Sequence, residues 1–223
     1  MVSAQDGALP ALEPQARKQT LRLGEIPVLQ LDLSWSELPD ACPGFRRINR
    51  CCRHFIQVWR QRWEGGLYQD ACAAAQEAIQ SGRTFLPWQG SVSYTVALQQ
   101  GELLSLYADV FEYTGGAHGN TIRWADTWQI PSGVPRTLAS FFPSRRLWRR
   151  QILSALSRQA AARMEGGETY YYDNWPERLK AFFDPDRFYL SEQGLHIYYP
   201  LYTLGPYAEG IPVFCIPWST DQS

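Results

Sequence analysis

Long apolar runs, net charge and histidine are all scarce in this chain of 223 residues. No stretch approaches the ~18 consecutive apolar residues that a membrane-spanning helix requires, so we expect no direct membrane insertion. The formal net charge is only −1, which argues against electrostatic binding of nucleic acid or anionic lipid. The polar N-terminal segment lacks the apolar core of a signal peptide, so the sequence as it stands predicts a cytoplasmic protein.

Recognisable catalytic and metal-binding motifs are also missing. The five cysteines are odd in number and have no C-x-x-C spacing, so they fit neither a disulfide framework nor a zinc site. We therefore predict free thiols, which are typical of a reducing compartment. The chain contains neither the G-x-S-x-G elbow of serine hydrolases nor a P-loop. We accordingly predict a protein that is not an enzyme and that has no cofactor and no metal site.

Aromatic residues are abundant, since they make up 14% of the chain and include nine Trp and twelve Tyr. Hydrophobic residues at 45% and charged residues at 19% are typical of a globular protein. The rings could fill a large core or line a binding groove, because Tyr and Trp combine an apolar body with a polar tip. Of these two interpretations we favour the core.

The order of the apolar patterns predicts an α+β fold, with an antiparallel sheet and two main helices packed on one face. Residues 1–17 are predicted to form a flexible leader, because Pro10 and Pro14 oppose regular structure. Residues 18–223 form one predicted domain, with closely packed halves at about 18–120 and 121–218. The predicted strands are 20–23, 27–33, 90–99, 102–113, 120–130, a hairpin over 187–199, and 211–218. The predicted helices are 44–79 with a break at Gly65-Gly66, 144–164 with Ser144 as N-cap, and 174–183.

A glycine-rich segment, Tyr113-Thr-Gly-Gly-Ala-His-Gly-Asn120, lies between two predicted strands. Its glycines permit positive φ and close backbone approach, which suits a sharp turn. A backbone nest for an anion is the alternative, and we favour the turn. His118 is more typical of a structural histidine that bonds to backbone. The alternative is a metal ligand together with Asp109, Glu112 or Asp126.

A second pattern lies near the C-terminus, where a Gln193-Gly-Leu195 turn precedes a Gly205-Pro-Tyr-Ala-Glu-Gly210 loop and a terminal Ile216-Pro-Trp218 strand. Taken with Thr114–Gly119 and with Arg47-Ile-Asn49 in the first helix, the chain resembles an uncharacterised domain family over roughly residues 20–218. This domain forms the extracytoplasmic region of RsiV-type anti-sigma factors. It is also similar to the non-catalytic N-terminal region of PdaC-type peptidoglycan deacetylases.

The resemblance implies an envelope-associated sensing or binding domain, with an extracytoplasmic location as the alternative to a cytoplasmic one. In RsiV-type proteins the ligand is lysozyme, so lysozyme and cell-wall fragments are the expected partners. We predict a non-enzymatic binding module whose ligand-binding residues lie on two loops: Tyr113, Thr114, Gly115, Gly116, His118, Tyr202 and Tyr207. The alternatives are a small cell-envelope hydrolase or metal-dependent enzyme using His118, and an assembly subunit using an exposed sheet edge.

Overall fold

Two sheets and the helices that cover them make up the computed structural model, which describes residues 10–143 and 146–218. The large sheet contains β1 (Glu13–Leu23), β2 (Ile26–Glu37), β3 (Trp88–Gln100), β4 (Leu103–Tyr113), β5 (Asn120–Gln129) and β6 (Val134–Pro135). The small sheet contains β7 (Phe188–Ser191), β8 (Gly194–Tyr198) and β9 (Val213–Pro217). The helices are α1 (Pro43–Arg62), α2 (Tyr68–Gln80), α3 (Trp148–Glu165) and α4 (Trp175–Ala181). The predicted α+β class is confirmed, but the strands form two sheets instead of one.

The strands of the large sheet follow chain order, and all neighbours are antiparallel except β2 and β3. A parallel pair needs a long crossover between its strands, and here helices α1 and α2 supply it. The prediction of a purely antiparallel sheet is therefore wrong at this pair. The predicted hairpin of β3 and β4 is confirmed, with Gly101 at positive φ in its turn.

Helices α1 and α2 cover one face of the large sheet and are joined by a π-helical turn, Trp63–Leu67. The predicted break lies in this turn, because the backbone of Gly65 is not helical, with φ −96° and ψ −105°. Trp63 is fully buried against Gly90 of β3, where an added Cβ would lie 2.8 Å from the indole ring. Because glycine has no Cβ, the indole can lie directly on the strand.

Helix α3 covers the small sheet instead of sharing a face with α1. Its buried residues Ile152 and Leu156 pack in one cluster with Leu190, Ile197 and Phe214 of the small sheet. The prediction of two main helices on one face is thus wrong, because each sheet has its own apolar face and each face is covered by a different helix. The predicted N-cap of this helix, Ser144, lies outside the described residues.

The two sheets are joined through polar and aromatic contacts. Ser105 of β4 is buried, lies 2.8 Å from the Thr127 hydroxyl, and accepts a hydrogen bond from the Leu190 N–H at 2.8 Å. Close by, the rings of Tyr107 and Tyr189 have centroids 4.8 Å apart. Strand β5 belongs to the large sheet along its whole length, so the change of sheet follows β6 and does not coincide with the division predicted at residue 120.

The N-terminal segment also differs from its prediction. Strand β1 begins at Glu13, so the leader predicted for residues 1–17 is wrong over 13–17. Pro14 is tolerated there because β1 lies at an edge of the sheet, where a missing N–H removes no essential pairing. Residues 1–9 lie outside the described range. No helix in the described part of the chain is both long and apolar enough to cross a membrane. All five cysteines are free.

Candidate binding surface

The glycine-rich segment forms the connection between β4 and β5. Gly115 and Gly116 have φ of +86° and +96°, a region that glycine enters without steric cost. The Tyr113 hydroxyl donates to the Gly116 carbonyl at 3.1 Å and closes the turn. Gly119 lies so close to Phe111 that an added Cβ would be 2.3 Å from the ring. The predicted sharp turn with close backbone approach is therefore confirmed.

This connection brings His118 against the loop that follows the small sheet's second strand. The His118 ring stacks on Tyr207, with centroids 3.7 Å apart and an interplanar angle of 13°. The Tyr202 hydroxyl lies 3.3 Å from His118 Nε2, and the Tyr202 ring is 6.0 Å from that of Tyr207. Tyr202 has φ +61°, which is uncommon for a residue other than glycine. We call His118, Tyr202 and Tyr207 the aromatic cluster.

The other predicted site residues lie apart from the aromatic cluster. Residues Tyr113–Gly116 line a depression of about 360 Å³ together with Phe85 and Trp88. Tyr113 is half-buried there, whereas the next three residues are exposed. Of the seven residues predicted to bind a ligand, three are thus brought together in one cluster and four face a separate depression.

The hydrogen bonds of His118 define its chemistry. Nδ1 lies 2.9 Å from the Gly119 carbonyl oxygen, so the neutral ring donates its Nδ1–H to that carbonyl. Nε2 is then the acceptor for the Tyr202 hydroxyl. The prediction of a histidine bonded to backbone is confirmed. Because both ring nitrogens have partners, the two contacts fix the orientation of the ring.

The three carboxylates considered as metal ligands each have another partner. The Asp109 carboxylate accepts two hydrogen bonds from the Arg123 guanidinium, from Nε at 2.7 Å and from Nη2 at 2.6 Å. Glu112 accepts from Trp63 and, at 2.8 Å, from Arg62. Burial acts to raise the pKa of Glu112, but these hydrogen bonds outweigh it and lower the pKa overall. Within residues 10–143 and 146–218, no group of three or more His, Cys, Asp or Glu side chains could hold a metal ion.

Asp126 is the third of these carboxylates. Burial raises its pKa, and a hydrogen bond from the Trp124 indole at 3.0 Å offsets this only in part. The carboxylate therefore resists ionisation more than an exposed aspartate does.

A cleft of about 550 Å³ begins beside the aromatic cluster. One side is formed by residues 120–127 of β5, and the rest of the lining by residues 135–137, 184, 186–188, 198 and 200–202. Tyr202 belongs to both the cleft and the cluster. We call this space the β5 cleft. Sequence reasoning missed the cleft, although the turn predicted after β5, with no further long strand behind it, was a signal that most of β5 lies near an edge of the sheet.

A serine–histidine pair in the small sheet was also missed. Ser191 Oγ lies 2.7 Å from His196 Nε2, and the imidazole stacks on Tyr189 with centroids 4.7 Å apart. Burial lowers the pKa of His196, and the nearby Arg123 charge lowers it further. Ser191 Oγ also accepts from the Gln193 N–H, so the pair closes the β7–β8 turn. Ser191 and His196 are five residues apart across a hairpin, and this spacing matches no sequence motif that would have predicted the pair.

The architecture is a two-sheet α+β domain with an aromatic cluster on its loops. Residues 140–219 match the family model described as a protein of unknown function (DUF3298), and residues 64–121 match the model described as deacetylase PdaC. The two matches lie within the region over which the chain resembles this family, and the family resemblance predicted from the sequence is confirmed. No curated protein matches the chain.

Two solved structures share the fold. A DUF3298 family protein from Pseudomonas aeruginosa PAO1 is 19% identical, with a TM-score of 0.58, and the match covers 95% of this chain and 92% of that one. A member of the same family from Bacteroides fragilis NCTC 9343 is 18% identical, with a TM-score of 0.55 and coverage of 94% and 91%. At these identities the likeness establishes the fold alone.

Proposed function

We propose that this domain is a non-enzymatic binding module and that the aromatic cluster is its ligand contact. The observation that carries the proposal is the assembly of three rings at the surface from two loops, in which His118 and Tyr202 are 84 positions apart in sequence. Tyrosine rings are effective interface anchors, because they bury a large area and keep a polar tip available for hydrogen bonding. The stack and the hydrogen bonds orient the rings before a ligand arrives, which reduces the entropy lost on binding.

The resemblance to RsiV-type proteins supports lysozyme as the ligand, with cell-wall fragments as the second candidate. Either ligand would place the domain in the cell envelope, the location that the resemblance implies. A hydrolase that uses His118 has less support, because the only side-chain hydrogen-bond partner of His118 in the described part of the chain is the Tyr202 hydroxyl, at 3.3 Å. The proposal therefore assigns His118 an orienting role in the contact surface.

Titration calorimetry with hen egg-white lysozyme and with soluble muropeptides tests this proposal. We expect one of the two probes to bind, and Tyr207→Ala to weaken that binding at least about tenfold, as for an interface anchor. Tyr170→Ala is the matched control, because Tyr170 is 75% exposed and its ring takes no part in the cluster. Failure of both probes to bind at micromolar concentration, or equal binding by the two variants, would overturn the proposal.

A further inference from the structure

Strand β5 has one edge paired with β4 and another that is largely open. The Ile130 N–H donates to the Glu102 carbonyl at 2.8 Å, which sets the hydrogen-bonding register of the two strands. Even-numbered residues of β5 therefore direct their backbone groups to β4. Thr121, Arg123 and Ala125 consequently direct their N–H and C=O groups to the other side, into the β5 cleft. The short strand β6 covers only Trp128 and Gln129.

The open edge leaves backbone hydrogen-bonding capacity unused. Thr121, Arg123 and Ala125 each present one N–H and one C=O, and in the described part of the chain none of these groups has a protein partner. The next outward carbonyl, that of Thr127, is already taken by the Arg136 N–H at 2.7 Å. The edge therefore offers three donors and three acceptors in the alternating order that another strand would satisfy.

The side chains beside this edge add an apolar surface. Ile122 and Trp124 project to the face covered by the helices, yet they remain 48% and 51% exposed. The Phe55 ring of α1 lies 6.0 Å from that of Trp124 and extends the same surface. Across the strand, Arg123 is held by Asp109 and lies over the Tyr107 ring at 4.2 Å. A strand added here would meet apolar side chains at alternate positions on one face.

The opposite edge of the large sheet is protected in a way that β5 is not. Strand β1 carries Pro14 together with Arg17, Lys18 and Arg22, and proline and basic side chains on an edge oppose pairing with another chain. The β5 edge has apolar residues at the corresponding outward face and lies recessed in a cleft. This asymmetry distinguishes an edge that avoids partners from one that is suited to receive a strand.

We propose that the β5 cleft binds an extended segment of a partner polypeptide, which adds to β5 as a further strand with apolar side chains against Ile122 and Trp124. The edge over residues 120–127 is roughly 24 Å long at ~3.4 Å per residue. The cleft of about 550 Å³ lies along this edge and is lined by residues 120–127 of β5. A second copy of this chain fits poorly, because its own β5 edge is recessed between the same walls.

Display of random linear dodecapeptides, selected against the parent protein, supplies the probe. Ala125→Pro tests the edge, because its lost N–H faces the cleft and not β4. We expect selected peptides to bind Ala125→Pro at least about tenfold more weakly than the parent. Tyr170→Ala, at a residue that lines neither the cleft nor the aromatic cluster, should retain peptide binding. Ala125→Pro should retain lysozyme or muropeptide binding, so the cleft and the aromatic cluster can fail separately. Enrichment of no peptide, or equal binding to Ala125→Pro, would overturn the proposal.

Amide hydrogen exchange on the parent protein tests the same site without a substitution. A saturating selected peptide should slow exchange at Thr121, Arg123 and Ala125 about tenfold or more. The amides of Ile122 and Trp124 already pair with β4 and should change little. Unchanged exchange at the three outward amides would overturn the proposal. So would a concentration-dependent dimer that protects these amides without peptide, since a second copy would then be the occupant.

Discussion

Replacement of His118 by alanine removes the stack on Tyr207 and the hydrogen bonds to Gly119 and Tyr202. Because His118 is exposed, the substitution leaves no buried cavity. The orienting role inferred for this histidine therefore predicts a moderate loss of stability, together with a change in the neighbouring loop.

The magnitude follows from the contacts that are lost. An aromatic stack contributes about 0.5–1.5 kcal/mol, and a hydrogen bond about 0.5–1.5 kcal/mol. The 3.3 Å contact to Tyr202 and the exposure of the ring favour the lower end of both ranges. We expect His118→Ala to lower the free energy of unfolding by about 1–2 kcal/mol. For a domain of this size that corresponds to a fall in Tm of about 2–8 °C.

Thermal unfolding followed by circular dichroism measures the effect. His118→Phe keeps a ring against Tyr207 but loses both hydrogen bonds, so its Tm should lie between those of the parent and His118→Ala. His54→Ala is the matched control, because His54 is exposed on α1 and should change the Tm by less than about 2 °C. A His118→Ala protein with the same Tm as the parent would refute the orienting role. Loss of a measurable hydrolytic activity at unchanged Tm would favour the enzyme alternative.

Three further substitutions test the fold around the site. Gly90→Ala should destabilise the protein by about 1–3 kcal/mol in urea, because the new Cβ meets the buried Trp63 ring. Ser105→Ala should cost about 1–3 kcal/mol by the same assay, because it leaves the Leu190 N–H buried without its acceptor. Asp126→Asn should raise the Tm at pH 7, because burial disfavours the ionised carboxylate. That gain should fade as the pH falls through the raised pKa of the folded state and vanish below 3.8, where the aspartate is protonated in both states.

Each of these substitutions has a control or a contrary outcome. Gly66→Ala places its Cβ in open space and should change stability little, so equal losses in both glycine variants would contradict the contact with Trp63. Ser34→Ala removes a hydroxyl that makes only a 3.4 Å contact and should be nearly neutral. A lower Tm for Asp126→Asn at pH 7 would mean that the ionised carboxylate is stabilised in the fold, contrary to the direction of its pKa.

The helix over 44–79 and the glycine turn could be predicted because their signals are local. The apolar stripe of α1 follows the helical period, and its interruption at Gly65-Gly66 lies within the π-helical turn. The turn after β4 depends on positive φ at Gly115 and Gly116, a property of the residue type itself. The loops of His118 and Tyr207 were then predicted to share one binding surface. The stacking of the two rings could not be predicted, because neither segment contains a pattern that indicates it.

Sequence alone therefore determined the α+β class, most of the elements, the glycine turn and the family resemblance, since periodicity and residue conformational preference act over short stretches. Tertiary structure decided that the strands divide into two sheets, that β2 pairs in parallel with β3, and that β5 is left with an open edge in a cleft. Strand pairing and the stack of His118 on Tyr207 depend on contacts between residues distant in the chain. Such contacts are set by packing of the whole domain, which no local pattern encodes.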